Sequence, residues 1–162
     1  MKTLIKAFEL SHEERVAIEH HKYHYEHPRG ALIEALKVVQ KYRHWVPDEA
    51  VSAIAEILNI PSSDVEEVAT FYSQIFRQPV GRHIIRYCDS VVCYITGYQK
   101  VLKELERLLN IKSGQTTNDA HFTLLPTCCL GNCDHAPTIM IDDDTYAHVT
   151  SEDVFLLLEK YK

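Results

Sequence analysis

The stretch TCCLGNCDHAP, residues 127–137, holds three of the chain's five cysteines, Cys128, Cys129 and Cys133; the other two close the upstream segment CDSVVC, Cys88 and Cys93. What surrounds these segments says whether they can meet. HIIRY (83–87) reads as a short strand and HFTLLP (121–126) as a second. Between them, Ile95, Tyr98, Val101, Leu102, Leu105, Leu108 and Leu109 recur at the spacing of an amphipathic helix. A strand, a crossover helix and a parallel strand bring both strand carboxyl ends to one sheet edge, with neighbouring strands ~4.8 Å apart. Cys88 follows the first strand, CCLGNC follows the second, and Cys93 lies near the start of the helix. Thiols from both segments are therefore expected at one corner.

A lone cysteine is usually a small buried hydrophobe. Two spaced pairs on converging loops suit a soft metal instead, either zinc or an iron–sulfur cluster. An odd cysteine count speaks against a disulfide framework, and with no C-x-x-C anywhere a thioredoxin-like redox role is also poor. Zinc knuckles use C-x2-C or C-x4-C, so spacing leaves zinc open. A [2Fe-2S] cluster divides its four ligands between two irons and fits wider, unequal spacings. With four thiolates it is an anion in either redox state and calls for peptide N–H groups aimed at sulfur. The helix start near Cys93 and the loop at Leu130, Gly131 and Asn132 are the expected sources.

Outward from this core the pattern continues. TIMI (138–141) and YAHV (146–149) read as a hairpin around DDDT (142–145), and Thr150 with Asp153 caps a last helix bearing Val154, Leu157, Leu158 and Tyr161. RQPVGR (77–82) reads as a linker. Residues 1–80 are helical by pattern. Pro28 opens a helix with Leu32, Ala35, Leu36 and Val39 on one face. Pro47, Asp48 and Glu49 form a favourable first turn for Val51, Ile54, Ala55 and Leu58. Ser63 and Glu66 are placed as a capping box ahead of Val65, Val68, Ala69 and Tyr72. The expected architecture is α+β, a small helical bundle over 1–80 followed by a cysteine-bearing domain over 81–162.

Composition closes off several function classes. The chain has 162 residues, is 46% hydrophobic and 25% charged, and has a net charge of −6, so it lacks the cationic footprint of a nucleic-acid binder. All five glycines are isolated, which excludes GxGxxG and GxxxxGK. The longest apolar runs, 91–95 and 154–158, fall far short of the ~20 residues of a membrane helix. MKTLIKAFELSHEER has no apolar core or cleavage site of a signal peptide, so a cytoplasmic location is expected.

C-x4-C, then C-L-G-N-C, then Ala136 and Pro137 resemble the thioredoxin-like [2Fe-2S] ferredoxin family. More narrowly they resemble its branch found in NADH–quinone oxidoreductase, respiratory complex I. Upstream, Gln40, Val46 with Pro47, and ATFY (69–72) match that family's helical part, so the likeness runs over about residues 15–160. It implies a thioredoxin-like domain holding a [2Fe-2S] cluster on Cys88, Cys93, Cys129 and Cys133, with Cys128 outside the set. It implies electron transfer without a catalytic site in this chain. The partners would be a flavoprotein subunit that binds NADH and FMN, and other peripheral-arm iron–sulfur subunits. The complex would hold the chain on the cytoplasmic side of the inner membrane. The equivalent subunit of an NAD-linked hydrogenase or formate dehydrogenase shares these motifs, and a zinc-stabilised structural adaptor is the reading from another class. The family often has glycine where this chain has His44.

Two further features are weighed and set lower. In HHKYHYEH (20–27), His20, His24 and His27 would share one helix face; a solvated or docking helix is the better reading. Asp142, Asp143 and Asp144 lack the rest of a calcium loop and fit a hairpin turn. Pro137 precedes a strand where thioredoxin-like folds commonly hold a cis proline, so a cis Ala136–Pro137 bond is expected.

Overall fold

The computed structural model describes residues 8–162; the first part of the charged amino-terminal stretch, 1–7, lies outside the described residues. The chain parts between Pro79 and Val80 into two compact units.

The first unit is helical: α1 (His12–Lys22), α2 (Leu32–Arg43), α3 (Asp48–Leu58) and α4 (Ser62–Phe71). Ile18, Leu36, Val39, Ile54, Leu58 and Val65 are buried between them, each Leu or Ile contributing roughly 1.5–3 kcal/mol. Ser11 opens α1 with a complete capping box. Its hydroxyl accepts from the Glu14 N–H at 3.1 Å, and its own N–H donates to Glu14 Oε2 at 2.7 Å. Pro28 opens a short 3-10 turn (Pro28–Ala31) that leads into α2. The turn after α2 places His44 at φ 68°, a left-handed conformation that glycine adopts without strain and that explains the family's usual residue there.

The capping box expected at Ser63 and Glu66 does not form. Helix α4 starts two residues earlier, capped at Pro61 and not at Ser63, without a side-chain cap. Glu66 is drawn away by Arg77, whose Nη2 donates to it at 2.8 Å and to Asp48 at 2.7 Å. Pro47 likewise precedes the first turn of α3 instead of occupying it.

The second unit contains β1 (His83–Cys88), α5 (Val91–Thr96), α6 (Tyr98–Leu109), β2 (Phe122–Thr127), β3 (Ile139–Ile141), β4 (Asp144–Tyr146) and α7 (Val154–Glu159). The four-stranded sheet runs β2-β1-β3-β4, with β1 and β2 parallel and the other pairs antiparallel. Ile85, Leu124, Ile139 and Ile141 from the sheet meet Val101 and Leu105 of α6 and Val154 of α7 in one core. The crossover helix is longer than expected and broken: it starts at Val91, and Gly97 at φ 96° divides it. A side chain there would be strained in that left-handed conformation, so the break falls at the residue that tolerates it. The hairpin turn is tighter than DDDT, with strand β4 already begun at Asp144. Asp142 locks that turn: its Oδ1 accepts the Ile84 N–H at 2.9 Å and its Oδ2 lies 2.6 Å from His83 Nδ1. The turn reading therefore holds for Asp142 and Asp143, whereas Asp144 belongs to β4, which ends at Tyr146 and does not run on through 147–149 as expected. The Ala136–Pro137 bond is cis, as expected.

Among the described residues, no helix is long and apolar enough to cross a membrane.

Candidate metal centre

The parallel ladder sets the site. Cys88, the last residue of β1, pairs with Thr127, the last residue of β2, so the chain reaches Cys128 and Cys129 directly across from the Cys88 corner. The Asp89 N–H donates to the Thr127 carbonyl at 3.2 Å and holds the two exits together. Cys93 is the third residue of α5, and Cys133 opens a 3-10 turn (Cys133–His135).

The thiols stand as two pairs. Cys88 and Cys93 are each 2% exposed and hydrogen-bonded to one another. Cys129 and Cys133 are exposed, with their Sγ atoms 3.2 Å apart. The pairs also feel one another electrostatically, since Cys133 acts on Cys93 and Cys88 acts on Cys133. Cys128 is exposed beside them. The expected peptide donors are present. The Gly131 N–H points at Cys129 Sγ at 3.4 Å, and Gly131 at φ 77° is the residue that lets the loop turn back on itself. The amides of Ser90 and Leu130 donate to Cys88, and that of Thr138 donates to Cys93.

These contacts divide the thiols by acidity. Burial pushes Cys88 up, but the Ser90 amide, the Cys93 thiol and the Leu130 amide together outweigh it, so Cys88 ends below the ordinary cysteine value. Burial and the bond to Cys88 push Cys93 up. The contact with Cys129 is the main cause that raises Cys133. The site thus favours negative charge at Cys88 over Cys93 and Cys133.

The histidine face expected at His20, His24 and His27 is not completed: the His20 and His24 rings lie 4.5 Å apart, but His27 does not join them. Helix α1 ends at Lys22; the His24 Nδ1 lies 2.8 Å from the His20 carbonyl, and His27 accepts from the Arg29 N–H as a cap. Among the described residues, no three His, Cys, Asp or Glu side chains are placed to hold a single ion. One feature that pattern reading missed is Thr138, buried between the cysteine segments; a threonine next to a proline gives no signal of that.

Residues 18–162 match the thioredoxin-like [2Fe-2S] ferredoxin family. The chain belongs to that family. Within it, the ferredoxin chain is 70% identical over 157 residues to the NADH-quinone oxidoreductase E subunit of Salmonella typhimurium, covering 97% of this chain and 95% of that protein. It is 69% identical to the same protein of Escherichia coli over the same shares. Against that of Pseudomonas aeruginosa it is 65% identical, over 95% and 93% of the two chains. A crystal structure of an NAD+-reducing [NiFe]-hydrogenase superposes with a TM-score of 0.69 at 26% identity, over 80% of this ferredoxin chain and 22% of that chain.

Proposed function

We propose that this chain is the electron-transfer E subunit of NADH–quinone oxidoreductase, holding one [2Fe-2S] cluster on Cys88, Cys93, Cys129 and Cys133. The observation that carries the reading is the arrangement of thiols as two pairs under main-chain N–H donors, one pair buried and one exposed. Four sulfur ligands in two pairs suit two irons, whereas a structural zinc ion takes all four donors round one point. The cluster supplies one-electron redox chemistry when bound. The chain does the rest: the amides of Ser90, Leu130, Gly131 and Thr138 offset negative charge on sulfur, which sets how readily an electron is accepted. The buried pair keeps water from one side of the site.

The partner in this reading is the flavoprotein subunit, which takes a hydride from NADH onto FMN and passes electrons singly. Val91, Tyr94 and Ile95 of α5 are exposed beside Cys93 and offer an apolar rim for that partner. The helical unit adds docking surface, with exposed Phe71 and Tyr72 at the end of α4. Other peripheral-arm iron–sulfur subunits complete the assembly, which holds the chain on the cytoplasmic side of the membrane. The hydrogenase likeness favours a second reading, the equivalent subunit of an NAD-linked hydrogenase, but at 26% identity against 70% it is the weaker one.

Anaerobically purified chain should show visible bands that bleach with dithionite, and a rhombic EPR signal once reduced. It should turn over no NADH without its flavoprotein partner. A colourless, zinc-loaded chain that fails iron–sulfide reconstitution would remove the electron-transfer reading.

A further inference from the structure

We propose that Thr138 is a positioning residue that ties the three cysteine-bearing segments into one frame and thereby tunes the cluster; this rests on the [2Fe-2S] reading above. Thr138 is 2% exposed and directly follows Pro137. Its carbonyl accepts the Cys88 N–H at 3.2 Å, which fixes the end of β1. Its own N–H donates to the Cys93 thiol at the start of α5. Its hydroxyl serves the third segment. Thr138 Oγ1 reaches the Asn132 carbonyl at 3.4 Å and the His135 carbonyl at 3.5 Å, and accepts from Asn132 Nδ2 at 3.4 Å. Those two carbonyls flank Cys133.

The main-chain contacts belong to any residue other than proline at this position. The hydroxyl contacts do not. Each is long and individually weak, yet they share one buried atom; removing it takes the acceptor from Asn132 Nδ2 and leaves the Asn132 and His135 carbonyls with only the His135 and His148 amides as donors. The exposed loop holding Cys129 and Cys133 then loses its inner anchor, while the fold keeps its shape because valine fills the same volume. A looser loop aims the Leu130 and Gly131 amides less well at Cys88 and Cys129, and the cluster becomes harder to reduce.

The test compares the full chain with Thr138→Val and Thr138→Ser, each isolated with its cluster. Thr138→Val should show a lower reduction potential, an altered rhombic EPR signal and roughly tenfold faster iron loss to a chelator, and Thr138→Ser should restore all three. Wild-type potential, EPR signal and iron retention in Thr138→Val would overturn the proposal, as would a Thr138→Ser variant that behaves like Thr138→Val. If Thr138→Val does not take up iron at all, the potential and EPR signal of Thr138→Ser decide, and values unlike the wild type overturn it. Wild-type chain that holds no [2Fe-2S] cluster would fail the function reading itself, a result distinct from either.

Discussion

Cys129→Ala will produce a chain without iron and without colour, whereas Cys128→Ala will keep both. The two cysteines are adjacent, and C-x4-C through Cys128 is as regular a spacing as C-x3-C through Cys129. The structure separates them. It is Cys129 whose sulfur lies 3.2 Å from Cys133 and receives the Gly131 amide. The same amide-rich turn leaves Cys128 exposed on the approach from β2. Iron and sulfide assays on both variants, purified anaerobically, should give about two irons per chain for Cys128→Ala and none for Cys129→Ala. The reverse outcome would hand the ligand role to Cys128. Because the substitutions are on an exposed loop, the far-ultraviolet spectrum should be unchanged in both.

The second large effect lies away from the metal centre. Glu14 is 1% exposed and is gripped on both carboxylate oxygens by Arg43, through Nε and Nη2 at 2.6 Å each. Burial pushes its carboxyl up, but Arg43 and the Ser11 amide and hydroxyl outweigh burial and hold it below the ordinary value of 4.5. A carboxylate depressed in the folded chain contributes stability above its unfolded value and loses it as pH falls through the folded one. Stability of the helical unit should therefore drop as pH is lowered from about 4.5. At pH 7, Glu14→Gln leaves the guanidinium with the Glu9 carbonyl at 3.0 Å and the Phe8 ring but no opposite charge, and should destabilise that unit by about 2 kcal/mol. The difference between wild type and variant should shrink as pH falls from 4.5, where the unfolded chain takes up the proton, and be lost below the depressed folded value. The single tryptophan, Trp45, lies in this unit, so its fluorescence during urea unfolding reports the effect directly. A constant difference from pH 7 to pH 3 would show that the pair contributes nothing through its charge.

Sequence pattern reveals what repeats or what is local. The convergence of Cys88 and Cys93 with the 128–133 loop follows from one strand–helix–strand unit, because parallel strands end on the same edge. The hairpin at Asp142 and the helix stripes through Leu36, Ile54 and Leu105 follow from alternation and helical spacing. What pattern misses depends on partners distant in sequence. The Ser63 capping box has the right local chemistry, and it fails because Arg77 competes for Glu66. The histidine face assumes a helix that continues past Lys22, whereas the chain turns to place His27 as a cap on the next segment. Glu14 and Arg43 lie on different helices, and nothing in either neighbourhood announces the other. Thr138 is of the same kind: its three sets of contacts come from segments that only the sheet brings together.

The division of the thiols into a sheltered pair and an open pair also dictates the order of repair. Once iron is gone, Cys88 and Cys93 stay shielded at 2% exposure, while Cys129 and Cys133 face solvent with their sulfurs already touching. Air will therefore oxidise the outer loop first, closing a disulfide there and leaving the inner thiols free. Half of the donor set is then locked. A damaged chain needs a reductant before it needs iron, and supplying the metal alone restores nothing.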